Sequence, residues 1–120
     1  MKMAQGLLPS LLLIVALAAP TARAGEVMID FPGTEVEETT LAYLCGSTEI
    51  DVRYVNAGPV SLAIFDWEGE RIVAAAGIAA SGVRYVGGRY VWWSKGSEAT
   101  LLDEMAGADE PPLASCIKQP

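Results

Sequence analysis

The chain has 120 residues, 52% of them hydrophobic, and carries eight basic and fifteen acidic side chains but no histidine. This length allows one domain, and a formal net charge of −7 argues against nucleic acid, whose phosphates bind basic surfaces. Without histidine the chain has neither the commonest general base nor any Ser-His pair, so an enzyme is poorly supported.

Residues 1–24 have the three parts of a cleaved secretory signal. Lys2 charges the amino end, an apolar run covers 7–19, and Ala22-Arg23-Ala24 offers a small-x-small cleavage site. A transmembrane anchor needs about 20 apolar residues, whereas Leu11–Ala19 has only nine. A lipoprotein signal would need a cysteine just after the cleavage site, and the first cysteine is Cys45. We therefore expect a soluble periplasmic protein that is not a lipoprotein and does not insert into the membrane after cleavage.

Cleavage would leave six basic side chains against fifteen acidic ones, a net charge of −9, because Lys2 and Arg23 leave with the signal. That charge favours a cationic partner or serves solubility, and its sign alone does not choose between them. Residues 25–38 are acidic and contain Pro32-Gly33, which predicts a flexible leader. The folded domain is then expected to cover residues 39–120.

Short strands follow one another through this domain. Thr39–Cys45 is rich in β-formers, and Glu49–Val55 alternates polar and apolar residues with the period of a strand that is wet on one side. Val60–Trp67 and Ser97–Leu102 are interpreted as strands. Arg71–Ala76 contains three alanines, which suit a helix as well, but it is too short for an independent helix and lies between Gly69 and Gly77, so a strand is favoured. Leu113–Lys118 brings Cys116 back to be paired. Seven or eight short strands without a convincing helix predict a small antiparallel barrel or sandwich. We favour the barrel, because it leaves no sheet edge open.

Residues 81–96 predict a β-hairpin with its turn at Gly87-Gly88. In that register three pairs face each other: Tyr85 with Tyr90, Val83 with Trp92, and Ser81 with Ser94. Ser81 and Lys95 then meet at the end of the ribbon away from the turn, and each is followed by a glycine. Trp92 is expected in the core, and Trp93 on the opposite, outer face of the same strand.

The two cysteines, Cys45 and Cys116, are expected to form a disulfide, because the chain is predicted to be exported. The bridge would enclose 72 residues and contribute about 4 kcal/mol in the chain-entropy description. A zinc site is a poor alternative, since the chain has no histidine and no other cysteine.

The remaining polar residues give weak signals of chemistry. A serine–lysine dyad of Ser81 and Lys95 would need a desolvated lysine, and a glycine-flanked turn is wet. Three pairs of carboxylates are interpreted as solvated loop charges rather than acid/base pairs or calcium ligands: Glu68 with Glu70, Asp103 with Glu104, and Asp109 with Glu110. Arg84 lies inside a predicted strand, which favours a structural salt bridge or a snorkelled cover over a partner contact.

The segments 81–85 and 90–96 resemble the paired SGxxY and YxxWxKG signature of the bacterial MliC/PliC inhibitors of c-type lysozyme. The motif serine and lysine stand fourteen positions apart, as they do in that family. The residues that support the motif are Gly82, Arg84, Tyr85, Tyr90, Trp93 and Gly96. Scattered similarity extends over most of residues 25–120: Tyr43, Cys45, Glu98-Ala99-Thr100 and Cys116. Ala79 departs from the pattern, because relatives often carry a serine there.

This resemblance implies an eight-stranded antiparallel barrel, a bridge between Cys45 and Cys116, and inhibition of lysozyme by insertion into its cleft. Ser81 and Lys95 would take the roles of the motif serine and lysine, which enter the active site in that family. It further implies that the chain is not an enzyme, needs no cofactor or metal, and protects peptidoglycan from host attack. Without a lipid-attachment cysteine, the chain resembles the soluble periplasmic branch of the family.

Two rival interpretations stay open. A small-ligand-binding barrel requires an unfilled interior, and a structural envelope protein would meet its partner on some other face. The sequence also leaves open a homodimer, the preferred lysozyme, and whether the target is a host enzyme or an endogenous wall hydrolase.

Overall fold

The computed structural model describes Gly6, Pro9–Ala19 and Gly25–Pro120. About half of the predicted signal segment 1–24 lies outside these residues, and so does its cleavage motif Ala22-Arg23-Ala24. Within the described part of the segment, residues 9–19 are exposed and have no regular secondary structure. No helix in the described ranges is both long and apolar enough to cross a membrane.

Eight antiparallel strands form a closed barrel in chain order, with β1 pairing β8 to complete it. The strands are β1 (Val36–Cys45), β2 (Thr48–Ala57), β3 (Val60–Trp67), β4 (Glu70–Gly77), β5 (Val83–Gly87), β6 (Tyr90–Lys95), β7 (Glu98–Asp103) and β8 (Ala114–Lys118). The prediction of an eight-stranded antiparallel barrel is therefore confirmed. β1 begins three residues earlier than expected, because residues 36–38 pair with the end of β2.

Two-residue turns join five of the neighbouring strand pairs. In four of them a glycine with φ between 57° and 65° takes the first central position and the second residue has no positive φ, which is the pattern of a type II′ turn: Gly46, Gly58, Gly88 and Gly96. The β3–β4 turn has positive φ at both Glu68 and Gly69, as in type I′. Such turns match the twist of antiparallel strands, so they fix where the chain reverses.

The β5–β6 hairpin differs from the predicted register. Gly87 pairs with Tyr90, so the turn residues are Gly88 and Arg89 instead of Gly87 and Gly88. The correct facing pairs are Tyr85 with Trp92 and Val83 with Ser94. The prediction that Ser81 faces Ser94 within the ribbon is wrong, because β5 begins only at Val83.

The packing of β5 against β4 explains this shift. A Cβ at position 87 would lie 2.8 Å from the carbonyl oxygen of Val73 and 3.0 Å from Cγ2 of Ile72. Gly87 is therefore required inside the strand, where two backbones approach closely. Moving the turn by one residue shifts the pairing by two, so every side chain keeps its predicted face.

Alternate side chains of the strands fill the barrel interior. The largest of its fully buried residues are Trp92, Tyr43, Phe65, Leu101 and Val52. Trp92 lies in the core as predicted, with its ring centroid 5.1 Å from that of Tyr43 and 5.3 Å from that of Phe65. These side chains occupy the interior. A small-ligand-binding barrel requires an unfilled interior, so that interpretation is not supported.

A hydrogen-bonded group of three aromatic side chains fixes this core. Trp92 Nε1 donates to the hydroxyl oxygen of Tyr54 at 2.8 Å, and the hydroxyl groups of Tyr43 and Tyr54 are also 2.8 Å apart. Burial raises the pKa of Tyr54, and its hydrogen bond with Tyr43 raises it further. Buried polar groups are costly unless they are paired, so these bonds hold the indole in one orientation.

The predicted disulfide between Cys45 and Cys116 is confirmed. The two residues face each other across β1 and β8, with their Cα atoms 4.1 Å apart. Only three residue pairs form the register between these strands, so the covalent bond reinforces a short contact at the place where the barrel closes.

Candidate functional site

The segments that carry Ser81 and Lys95 lie at one end of the barrel. The loop of residues 78–82 enters β5, and Lys95 ends β6 just before the turn at Gly96-Ser97. Because Val83 already faces Ser94, Ser81 and Gly82 fold over the end of β6. Ser81 and Lys95 are both exposed. We call this region, Ser81–Gly82 with Trp93–Lys95, the Ser81–Lys95 end.

Trp93 contacts both parts of this end. Its indole Nε1 donates to the carbonyl oxygen of Ser81 at 2.9 Å. The Lys95 ammonium lies 4.3 Å from the centroid of the same ring, within the range of a cation–π interaction. The predicted position of Trp93 on the outer face is confirmed. Its contact with both Ser81 and Lys95 was not predicted, and the one sequence signal for it is its place in the motif.

Gly82 completes the contact from the loop side. Its φ is +67°, and a Cβ there would lie 2.5 Å from Lys95 Cγ, 2.5 Å from the Ser94 carbonyl oxygen and 3.1 Å from Trp93 Nε1. Both the backbone conformation and the available space therefore require glycine. The glycine that follows the serine in the motif is therefore required for steric reasons.

Most of the positively charged side chains of residues 25–120 form ion pairs with carboxylates of the same chain. Four ion pairs involve arginine: Arg53 with Glu38, Arg71 with Asp66, Arg84 with Glu104, and Arg89 with Asp103. The two lysines of this range, Lys95 and Lys118, make no ion pair with the described residues. Lys95 thus offers an unpaired ammonium at an exposed end of the fold.

Two of these pairs revise the interpretation of the loop carboxylates. The Arg89 guanidinium and the backbone N–H of Met105 hold the pKa of Asp103 below its usual range. Glu104 pairs with Arg84, which confirms the structural salt bridge predicted for that arginine. Asp103 and Glu104 are therefore held by arginines and are not simply solvated. The described residues include no group of three or more possible metal ligands.

Comparisons with known proteins identify the family of this chain. Residues 43–110 match the family described as MliC, membrane-bound lysozyme-inhibitor of c-type lysozyme. Proteins named membrane-bound lysozyme inhibitor of C-type lysozyme are similar: one from Cupriavidus necator is 40% identical over 86% of this chain and 82% of its own, and one from Pseudomonas aeruginosa is 33% identical over 71% and 69%. A third, from Escherichia coli, is 38% identical over 55% of this chain and 59% of its own.

A solved structure is also similar. It is the crystal structure of Pseudomonas aeruginosa MliC in complex with hen egg white lysozyme, with a TM-score of 0.65 and 27% identity. The match covers 83% of this chain and all of that one.

These names correct the predicted localisation. All three relatives are named membrane-bound, so the prediction of a soluble periplasmic protein that is not a lipoprotein is wrong. It relied on the short apolar run and on the position of the first cysteine, and two missing attachment signals do not determine where a protein resides. The prediction that the chain is not an enzyme is supported, because the matching family consists of inhibitors. The chain belongs to the MliC family of inhibitors of c-type lysozyme.

Proposed function

We propose that this protein binds c-type lysozyme and inhibits it by inserting Ser81 and Lys95 into the active-site cleft. The observation that carries the proposal is the unpaired Lys95 ammonium, which lies on the Trp93 ring beside the Ser81 loop. Family membership supports the target, and the similar MliC structure was solved with hen egg white lysozyme.

The chemistry of a glycosidase cleft suits these two side chains. A retaining glycosidase holds two carboxyl groups about 5 Å apart, one as the acid and the other as the nucleophile. An ammonium between them can pair with both, and a neighbouring hydroxyl can hydrogen-bond to either one. Charge-assisted hydrogen bonds of this kind are among the strong ones. Inhibition then requires no bond to form or break and no cofactor.

The charge of the barrel suits the same partner at longer range. Residues 25–120 carry six basic and fifteen acidic side chains, so their negative field attracts a cationic enzyme. Lys95 is a positively charged side chain within this negative field. The acidic body accelerates the encounter, and the lysine engages the carboxylates of the cleft.

A wall-clearing assay tests the proposal directly. Purified protein is added to hen egg white lysozyme acting on bacterial cell walls, and clearing should stop in proportion to the protein added. A Ser81→Ala/Lys95→Ala variant, checked for folding by circular dichroism, should no longer inhibit. Full inhibition by that folded variant would contradict insertion of these side chains, and clearing unaffected by the unmodified protein would contradict inhibition itself.

Inhibition would protect peptidoglycan from hydrolysis, including attack by a host enzyme. The cleaved signal over residues 1–24, the leader over 25–38 and the domain over 39–120 stay predictions. Mass spectrometry of the protein recovered from cells tests the first of them, because cleavage after Ala24 would leave Gly25 as the first residue.

A further inference from the structure

We infer that Trp93 is the positioning residue of the Ser81–Lys95 end, holding the Ser81 loop by its N–H and the Lys95 ammonium by its ring. The inference rests on the proposed function of those two residues and adds a third residue that acts through them. The two distances, 2.9 Å from Nε1 to the Ser81 oxygen and 4.3 Å from Nζ to the ring centroid, carry it.

The loop has little else to hold it. Among the described residues, the Trp93 N–H is the one donor that the structure gives to a backbone oxygen of residues 78–82. Ile78, at the start of the loop, is fully exposed at 104% and thus has no apolar packing. The loop begins after Gly77, where an added Cβ would meet nothing within 4 Å, and ends at Gly82, which lies close against Lys95 and Ser94. Its position over β6 therefore depends on the indole together with the close approach of Gly82 to that strand.

The lysine depends on the same ring. Lys95 faces Glu98 across the β6–β7 turn, yet the ion pairs of the described chain all involve arginine. In the described chain its ammonium lies over the Trp93 ring and its Cγ lies close to Gly82. A free lysine side chain samples many rotamers, and ordering it on binding reduces affinity by about threefold to tenfold. The ring provides that order before lysozyme arrives.

Two substitutions separate the two contacts. Trp93→Phe keeps a ring face but removes the N–H donor, whereas Trp93→Leu removes both. We expect the Kd for hen egg white lysozyme to rise about threefold to tenfold with Trp93→Phe and by a similar further factor with Trp93→Leu. Because only the binding-competent fraction falls, the change should appear mainly in the association rate. Trp67→Phe, at the β3–β4 turn of the opposite end, is the matched control and should bind unchanged.

A Lys95→Ala background shows whether Trp93 acts through the lysine. There the difference between Trp93→Phe and Trp93→Leu should disappear, because no ammonium remains for the ring to hold. An equal difference in both backgrounds would mean that Trp93 contacts lysozyme itself or merely supports the fold, and would overturn the inference.

Different experimental results would contradict the proposed function and the positioning role of Trp93. If the unmodified protein does not inhibit lysozyme, the proposed function fails. If it inhibits and Trp93→Leu binds equally well, only the positioning role fails. Should Trp93→Leu not fold, backbone NMR order parameters of Ser81 and Gly82 in free Trp93→Phe decide the matter. We expect them to fall relative to the unmodified protein, and unchanged values would overturn the role of the N–H.

Discussion

Gly82 and Lys95 approach so closely that a single added carbon on the glycine would lie 2.5 Å from Cγ of the lysine. Gly82 also has φ of +67°, a conformation that L-residues rarely adopt. The two halves of the family motif therefore interlock sterically through Gly82 and Lys95, which twelve residues separate in the sequence.

Gly82→Ala should weaken lysozyme binding by at least about tenfold, or ~1.4 kcal/mol, because the new methyl group displaces the Lys95 side chain. Titration calorimetry with hen egg white lysozyme measures the change. Gly46→Ala is the matched control, since Gly46 has φ of +65° but no heavy atom within 4 Å of an added Cβ. It should lose stability through backbone strain while keeping its affinity. Equal affinities for the two variants would contradict the steric role of Gly82.

Lys95→Ala should weaken binding by about 2–5 kcal/mol, because it leaves carboxylates of the lysozyme cleft buried without their partner. Lys118→Ala removes the same charge from the other lysine that lacks an ion pair in the described chain. Comparing the two Kd values separates a specific contact from a general change in net charge. Similar losses for both variants would count against insertion of Lys95.

Association with lysozyme should slow as ionic strength rises, because salt screens the attraction between an acidic barrel and a cationic enzyme. The Debye length shortens from about 30 Å at 0.01 M to about 8 Å at 0.15 M salt, so stopped-flow fluorescence over this range covers the effect. The dissociation rate should change less. An association rate that is flat over this range would rule out steering without affecting the inhibition.

Removing the bridge in a Cys45→Ala/Cys116→Ala variant should lower the free energy of unfolding by about 2–5 kcal/mol. The bond closes a loop of most of the domain at a β1–β8 register of only three pairs. Urea unfolding with and without a reductant gives the measurement. The reductant should destabilise the unmodified protein and leave the variant unchanged, and a variant as stable as the oxidised protein would refute this.

Glu68→Asn should stabilise the fold by about 0.5 kcal/mol, because Asn-Gly suits a type I′ turn better than Glu-Gly. Glu68 is the one non-glycine residue with positive φ in the described chain, at 48°. Glu68→Gln is the control, since it removes the same charge but keeps an unsuitable residue in that conformation. An equal gain in stability in both variants would mean that the effect comes from removing the charge and not from the turn.

Local pattern was sufficient to predict the strands, whereas the choice of a barrel over a sandwich rested on the argument against open sheet edges and on the family resemblance. Period-two alternation and glycine at the chain reversals gave all the strands, because each turn and each strand face is decided by neighbours in the sequence. The hairpin register could not be settled this way. Gly87 and Gly88 allow two turns, and the choice depends on how close β4 comes to Gly87, a contact between strands.

The candidate site could likewise be predicted only in part. The predicted hairpin placed Ser81 and Lys95 together at the end away from the turn, and the structure brings their segments together there although the register differs by two residues. The part played by Trp93 could not be predicted, because it depends on a loop folding back over the end of another strand. Residues 78–82 have no periodicity that would indicate such a fold.

Closure of the barrel also limits how this family can diversify. Each strand from β1 to β8 has a neighbour on both sides, although β8 pairs with only the last three residues of β1, so most of the wall offers no backbone edge to which a partner could add a strand. Recognition then falls to the connecting loops, which tolerate sequence change better than the ladders they join. Residues 78–82 and the turn at Gly96-Ser97 are therefore where this barrel can change its binding properties without changing its paired strands, except at Gly82, where a side chain has no room.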